Sequence, residues 1–195
     1  GRGPSFLNDA IDKLQASAWY LHATSAGSLL FRNVENLVAK QDTYTRGMLR
    51  EQRESELRKR LTDLFQPKTK VCYGELQCLP ALDQVTLSPD RVTLVIFRPG
   101  ELALEEIRRF FENQTYRNRV IFLTGYAGAY DQVLQRGASL RAIGIIIDEF
   151  RESGMREDEP QFKDAVGIET REQTLFYQGC RETFQLMYYP SPVSY

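Results

Sequence analysis

The chain has 195 residues, 42% of them hydrophobic and 26% charged, with a formal net charge of −1. This is the balance of an ordinary soluble globular protein, long enough for one full domain or a small module joined to a larger one. No apolar run approaches the ~20 residues that a membrane-spanning helix needs, and no signal-like segment opens the chain, so no membrane partner is expected.

The near-neutral total hides a mild asymmetry. Residues 1–70 hold twelve Lys/Arg against eight Asp/Glu, and the remainder holds thirteen against eighteen. The first part can approach an anionic surface, although mild excesses of this kind are ordinarily solvated faces. The cysteines are Cys72, Cys78 and Cys180, and the one histidine is His22. This set argues against a disulfide framework and against a four-ligand zinc site, and for a reducing, cytoplasmic compartment. The opening Gly1-Arg2-Gly3-Pro4 lacks an initiator Met and reads as a cut within a longer protein.

In chain order, Ser5 to Leu14 places Phe6, Ala10, Ile11 and Leu14 on one helical face, with Ser5 as N-cap. Trp19 to Thr24 reads as a strand, Ser25 to Ser28 as a turn and Leu29 to Arg32 as the returning strand. Helix followed by hairpin is the order that closes a winged-helix domain. Asn33 opens a helical pattern in which Leu37, Val38, Leu49, Leu57, Leu61, Leu64 and Phe65 recur at three-, four- and seven-residue steps. Gly47 marks a bend or a weak place in it. Thr45 to Leu64 is dense in charge of both signs. Glu54–Arg58 and Glu56–Arg60 are acid-first pairs four residues apart, worth ~0.3–0.5 kcal/mol each. A nucleic-acid surface would have fewer interspersed acids and some aromatics. If this face does meet DNA, the candidate contacts are Arg32, Lys40, Arg46, Arg50 and Arg53, and binding would be salt-dependent.

Pro67 stops this helix. The division expected here separates a winged-helix-like element with its charged helix (1–66) from an α/β module with a long C-terminal helix (67–195). Lys70 to Glu75 can be a strand, and Leu79 to Asp90 is a loop. Arg91 to Arg98 is apolar on both faces and reads as a central strand of a covered sheet. Leu102 to Glu112 is an amphipathic helix, and Arg119 to Leu123 a second central strand. That order implies a parallel pair with a right-handed crossover. Ligands in such sheets sit at the carboxyl ends of the strands, here Arg98-Pro99-Gly100 and Thr124-Gly125-Tyr126.

Asn118 to Phe150 then admits two readings. In one, Thr124, Gly125 and Gly128 form a phosphate loop, and Ile145-Ile146-Ile147 runs into an acidic pair. Asp148 would organise Mg²⁺ and Glu149 would position water, as in hydrolytic ATPases. The lysine and further glycine of a phosphate loop are missing. In the other, Asp131 to about Glu152 is one helix. Its buried side is Val133, Leu134, Leu140, Ala142, Ile143, Ile146, Ile147 and Phe150, and Gly137 and Gly144 weaken it by ~1 kcal/mol each. The helix accounts for more residues and is the expectation. Pro160 fits the first turn of a final long helix with an interrupted stripe of Ala165, Ile168, Leu175, Phe176, Phe184 and Met187, ended by Tyr188-Tyr189-Pro190. With one histidine there is no Ser/His/Asp set. His22 reads as structural, and the thiols lack a neighbour that would lower their pKa.

The motif order resembles the C-terminal part of a family of large prokaryotic AAA-like ATPases of unknown function, often encoded beside DNA methyltransferases and phage-defence genes. The residues that carry the resemblance are Trp19-Tyr20 with Leu30 to Leu37, Asn118 to Leu123, Leu140 to Ile143, and Phe184 to Pro190. The resemblance implies that the nucleotide-binding loop lies upstream, so that ATP and Mg²⁺ belong to the parent protein and no cofactor to this part. It also implies a helix across Asp148-Glu149, and a module coupling an upstream ATPase core to DNA or to other protein subunits.

The expected fold is therefore α/β, α+β overall, with a winged-helix-like start, a small parallel-sheet module and a long C-terminal helix. The expected function is non-catalytic interaction with DNA or protein. The alternatives are a nucleotide-binding or hydrolysing domain, and a structural or oligomerisation piece.

Overall fold

In the computed structural model, residues 21–23, 29–31, 36–69, 72–101 and 103–190 are described. The helix expected over Ser5 to Leu14, the Trp19-Tyr20 pair, Arg32 and the final five residues lie outside them. The expected hairpin is present as β1 (Leu21–Ala23) and β2 (Leu29–Phe31), antiparallel with Leu21 opposite Phe31.

Helix α1 (Leu37–Gly47) starts after Asn36, whose side-chain oxygen accepts from the Ala39 amide at 3.2 Å. That bond satisfies one of the amides a helix start leaves unpaired. Gly47 is more than a bend: α1 ends there and α2 (Arg50–Phe65) begins afresh. The new start is stabilised by Gln52, whose side chain accepts from the Leu49 amide at 2.9 Å, half of a capping box.

Five further elements belong with the sheet. They are β3 (Glu75–Cys78), β4 (Thr93–Ile96), α3 (Leu104–Asn113), β5 (Val120–Thr124) and, near the end of the described chain, β6 (Leu186–Tyr188). The order across the sheet is β3-β4-β5-β6. The first three strands are parallel, as the strand–helix–strand order requires, and β6 is antiparallel to β5. β4 is central and wholly buried. The strand expected over Lys70 to Glu75 forms later, over Glu75–Cys78. There the Gly74 and Glu75 amides both donate to the Val92 carbonyl and fix the register with β4.

Two long helices complete the chain, α4 (Tyr130–Glu152) and α5 (Pro160–Thr183). α4 is the helix expected over Asp131 to Glu152, and every residue expected on its buried side is buried. It ends in a Schellman turn. Gly154 takes φ +78, its amide donates to Arg151 at 3.1 Å, and the Met155 amide donates to Phe150 at 2.9 Å. Pro160 opens α5, as expected. The stripe expected to continue to Met187 does not. α5 stops at Thr183 and the chain turns into β6, on which Met187 is exposed.

The chain divides into two compact units, residues 1–52 with 138–174, and residues 53–137 with 175–195. Each is assembled from separated segments. The core of the second unit is Val95, Phe97, Ile107, Val120 and Phe122. The Phe122 ring lies 5.1 Å from Phe97 and 5.2 Å from both Phe110 and Phe111, tilted or edge-on as aromatic quadrupoles favour. Among the described residues no helix is long and apolar enough to cross a membrane.

Candidate functional site

The basic residues singled out for DNA fall into different situations. Lys40 is buried, only 5% exposed, in the first unit. Its ammonium lies 2.8 Å from Glu149 and within 6 Å of the Tyr44 and Phe150 ring centres. Tyr44 donates to the other Glu149 oxygen at 2.8 Å. A buried charge is tolerated only when paired and hydrogen-bonded, and this one is. Lys40 is thus an internal cation, turned away from any phosphate outside. Partial burial alone would raise the Glu149 carboxyl, but the Lys40 and Tyr44 contacts outweigh it and hold its pKa below the ordinary value.

Arg46 is well exposed and pairs with Asp42 one turn back at 2.8 Å. Arg50 is exposed at the start of α2. Arg53, in the second unit, donates to the Gln135 side chain at 2.8 Å. Arg32 lies outside the described residues.

The nucleotide candidates also separate. Asp148 and Glu149 lie in the last third of α4 and not at a strand end. Asp148 pairs with Arg151 at 3.1 Å, and Glu149 is engaged by Lys40 and Tyr44. Thr124, Gly125 and Gly128 do sit at the carboxyl end of β5, where Thr124 and Gly125 are buried and Gly128 is exposed. A Cβ on Gly125 would lie 1.5 Å from the Thr183 carbonyl oxygen, so glycine is required for the end of α5 to pass this close. Gly100 takes φ +76, and a Cβ there would meet that of Ala127 at 2.5 Å. Arg98 forks between Glu54 at 3.1 Å and Glu101 at 3.0 Å. Burial pulls the Arg98 pKa down, Glu101 and Glu54 push it up, and the net is upward. The acidic pair is thus engaged by Arg151, Lys40 and Tyr44 on α4, while in the glycine turn Gly128 is exposed with open space around it.

The thiols are equally ordinary. Burial pushes Cys180 up to about 12, and Cys78 is raised by burial against the opposing effects of Thr62 and Arg58. No group of three His, Cys, Asp or Glu among the described residues is placed to hold a metal ion.

What sequence reasoning missed lies on the second unit. A groove of about 580 Å³ borders α3 and β6, lined mainly by Leu104, Ile107, Phe111, Tyr188, Tyr189 and Pro190. Leu104 and Tyr189 keep 47% and 63% of their surface exposed although both are large and apolar or aromatic. Arg108 and Arg117 stand along it, with Glu112. Arg117 forms no ion pair among the described residues and donates instead to the Glu112 carbonyl at 2.9 Å. The available signal was the short apolar run Leu186-Met187-Tyr188 before Pro190, masked by the helical stripe preceding it.

No protein-family model, curated protein or solved structure matches the chain.

Proposed function

We propose that the chain is a non-catalytic protein-interaction module, and that the groove beside α3 and β6 receives an extended apolar peptide segment with an acidic flank. The observation that carries this is the exposed Leu104 and Tyr189 on the walls of one groove, next to the edge strand β6. Edge strands accept an added strand through their backbone, and a neighbouring pocket selects its side chains. The charges select the flank. Arg117 has no acid of its own among the described residues. The Arg108–Glu105 pair is exposed on both sides, so solvent screening leaves it weak and easily exchanged. In the longer protein that the sequence resemblance implies, such a module would tie an ATPase core to its partner, and nucleotide and Mg²⁺ would belong to that core.

A displayed library of random peptides, selected on the whole chain, tests this. Apolar residues at alternate positions with an adjacent Asp or Glu should be enriched. Leu104→Ser and Tyr189→Ser should weaken selected peptides by about tenfold each while leaving the melting temperature in place. If no such pattern is enriched, or if both variants bind like the parent, the proposal fails. Fluorescence anisotropy with duplex DNA at low salt gives the competing outcome. Salt-sensitive binding abolished by joint reversal of Arg46, Arg50 and Arg53 to Glu would replace the peptide with DNA as the ligand.

A further inference from the structure

We propose that a second pocket, at the amino ends of β3, β4 and β5, binds a small phosphorylated molecule through Arg91 and Arg119. It encloses about 350 Å³ and is bounded by Cys72, Tyr73, Gly74, Asp90, Arg91 and Arg119. That space is near the lower limit of small-molecule pockets, room for a phosphate and a short organic group.

Three features point to an oxyanion. First, Arg119 is half-buried, yet among the described residues it forms no ion pair. Its position is fixed by the short helical turn Arg117–Arg119, closed by the Arg119 amide donating to Tyr116 at 2.9 Å, immediately before β5. A guanidinium at a pocket wall without a carboxylate partner is available to an incoming oxyanion. Second, among the described residues Arg91 pairs only with Asp90, at 3.8 Å, too far for a hydrogen bond. Its stem lies over Gly74, where a Cβ would already touch the Arg91 Cδ at 3.4 Å, so glycine leaves the stem space along the wall. Third, both guanidinium groups act on the same carboxylate. Asp90 is held low mainly by the Ser88 hydroxyl that donates to it, and both Arg91 and Arg119 add to the effect. The two cations line one pocket with a single carboxylate, so the lining carries one more positive than negative charge. Paired guanidinium forks match the oxygens of a phosphomonoester, and the net positive charge favours a dianion over a monoanion. Tyr73 closes one side with its ring, its hydroxyl donating to the Phe65 carbonyl.

Phenyl phosphate, inorganic phosphate, sulfate and chloride, titrated in turn into the whole chain and followed by the amide resonance of Gly74 and the side-chain Nε resonances of Arg91 and Arg119, provide the test. Saturable shifts are expected, with phenyl phosphate tightest and chloride showing none. Arg91→Gln and Arg119→Gln should each weaken binding by about tenfold with unchanged thermal melting, and the exposed Arg141→Gln should not. Bound phenyl phosphate should also slow alkylation of the exposed Cys72 thiol, a readout that needs no variant. Non-saturating shifts shared with chloride, or full affinity in Arg119→Gln, would overturn the proposal, as would unchanged Cys72 alkylation at saturating phenyl phosphate.

Discussion

At the carboxyl ends of the parallel strands, where such sheets ordinarily hold ligands, the chain packs closely on itself at three places. The Thr183 carbonyl lies against Gly125, Ala127 presses on Gly100, and Arg98 is divided between two carboxylates. At the amino end of the same strands, Arg91 and Arg119 line an open pocket with a single exposed aspartate. Strand direction alone therefore does not locate a ligand site. What decides is which end has its polar groups satisfied from within. The first unit shows the satisfied case at its fullest, since Lys40 is deeply buried with Glu149 and Tyr44 closed around it.

The largest effect expected is from Gly125→Ala, which drives a methyl into a backbone carbonyl and should lower unfolding stability by about 3 kcal/mol, read from the urea midpoint. If it is tolerated, the carboxyl end is looser than described and the contrast collapses. Next is Glu149→Gln, which leaves a buried ammonium without its counter-charge and should cost about 2 kcal/mol at neutral pH. The sign with pH follows from the lowered carboxyl pKa. The stabilisation is complete above the unfolded value of 4.5 and is lost as pH falls from there through the folded value. The parent should lose stability over that acid range more steeply than the variant, so parallel curves would remove the ion pair from the account. Arg98→Met should cost about 1 kcal/mol, because Glu54 and Glu101 remain partly solvated when their partner is gone. The smallest effect is at the open end. Gly74→Ala meets only the flexible Arg91 stem and should change stability by less than about 1 kcal/mol. A penalty equal to that of Gly125→Ala would show the amino end to be as tightly filled as the other.

Long apolar periodicity was the legible part of the sequence. Arg91 to Arg98 and Arg119 to Leu123 carry strong β-branched and aromatic runs, and both contain central strands. The α4 stripe was readable because eight apolar residues recur on one side of a single helix. Pro160 and Pro67 marked boundaries through the missing amide donor. Short elements were not legible. β3 is a four-residue strand of half-buried residues, and β6 has only three, so neither carries a pattern long enough to outvote its neighbours. The candidate sites were harder still. Lys40 stands in a helix with exposed Val38 and buried Gln41, and nothing local announces that it faces a glutamate more than a hundred residues away. Arg91 and Arg119 are brought together by strand register, which the order of residues does not display.

The return of the chain into β6 sets a condition on how the sheet is made. Thr124 pairs with Leu186, so β5 gains its second neighbour only after both long helices have been synthesised. Until then β5 is an exposed edge, with Phe122 on a strand that has no outer partner. Pairings so distant in sequence form slowly, and unpaired apolar edges are where growing chains stick to one another. A ribosome paused within α5 would hold a nascent protein with an unfinished sheet, and release of the last strand would be the step that protects it.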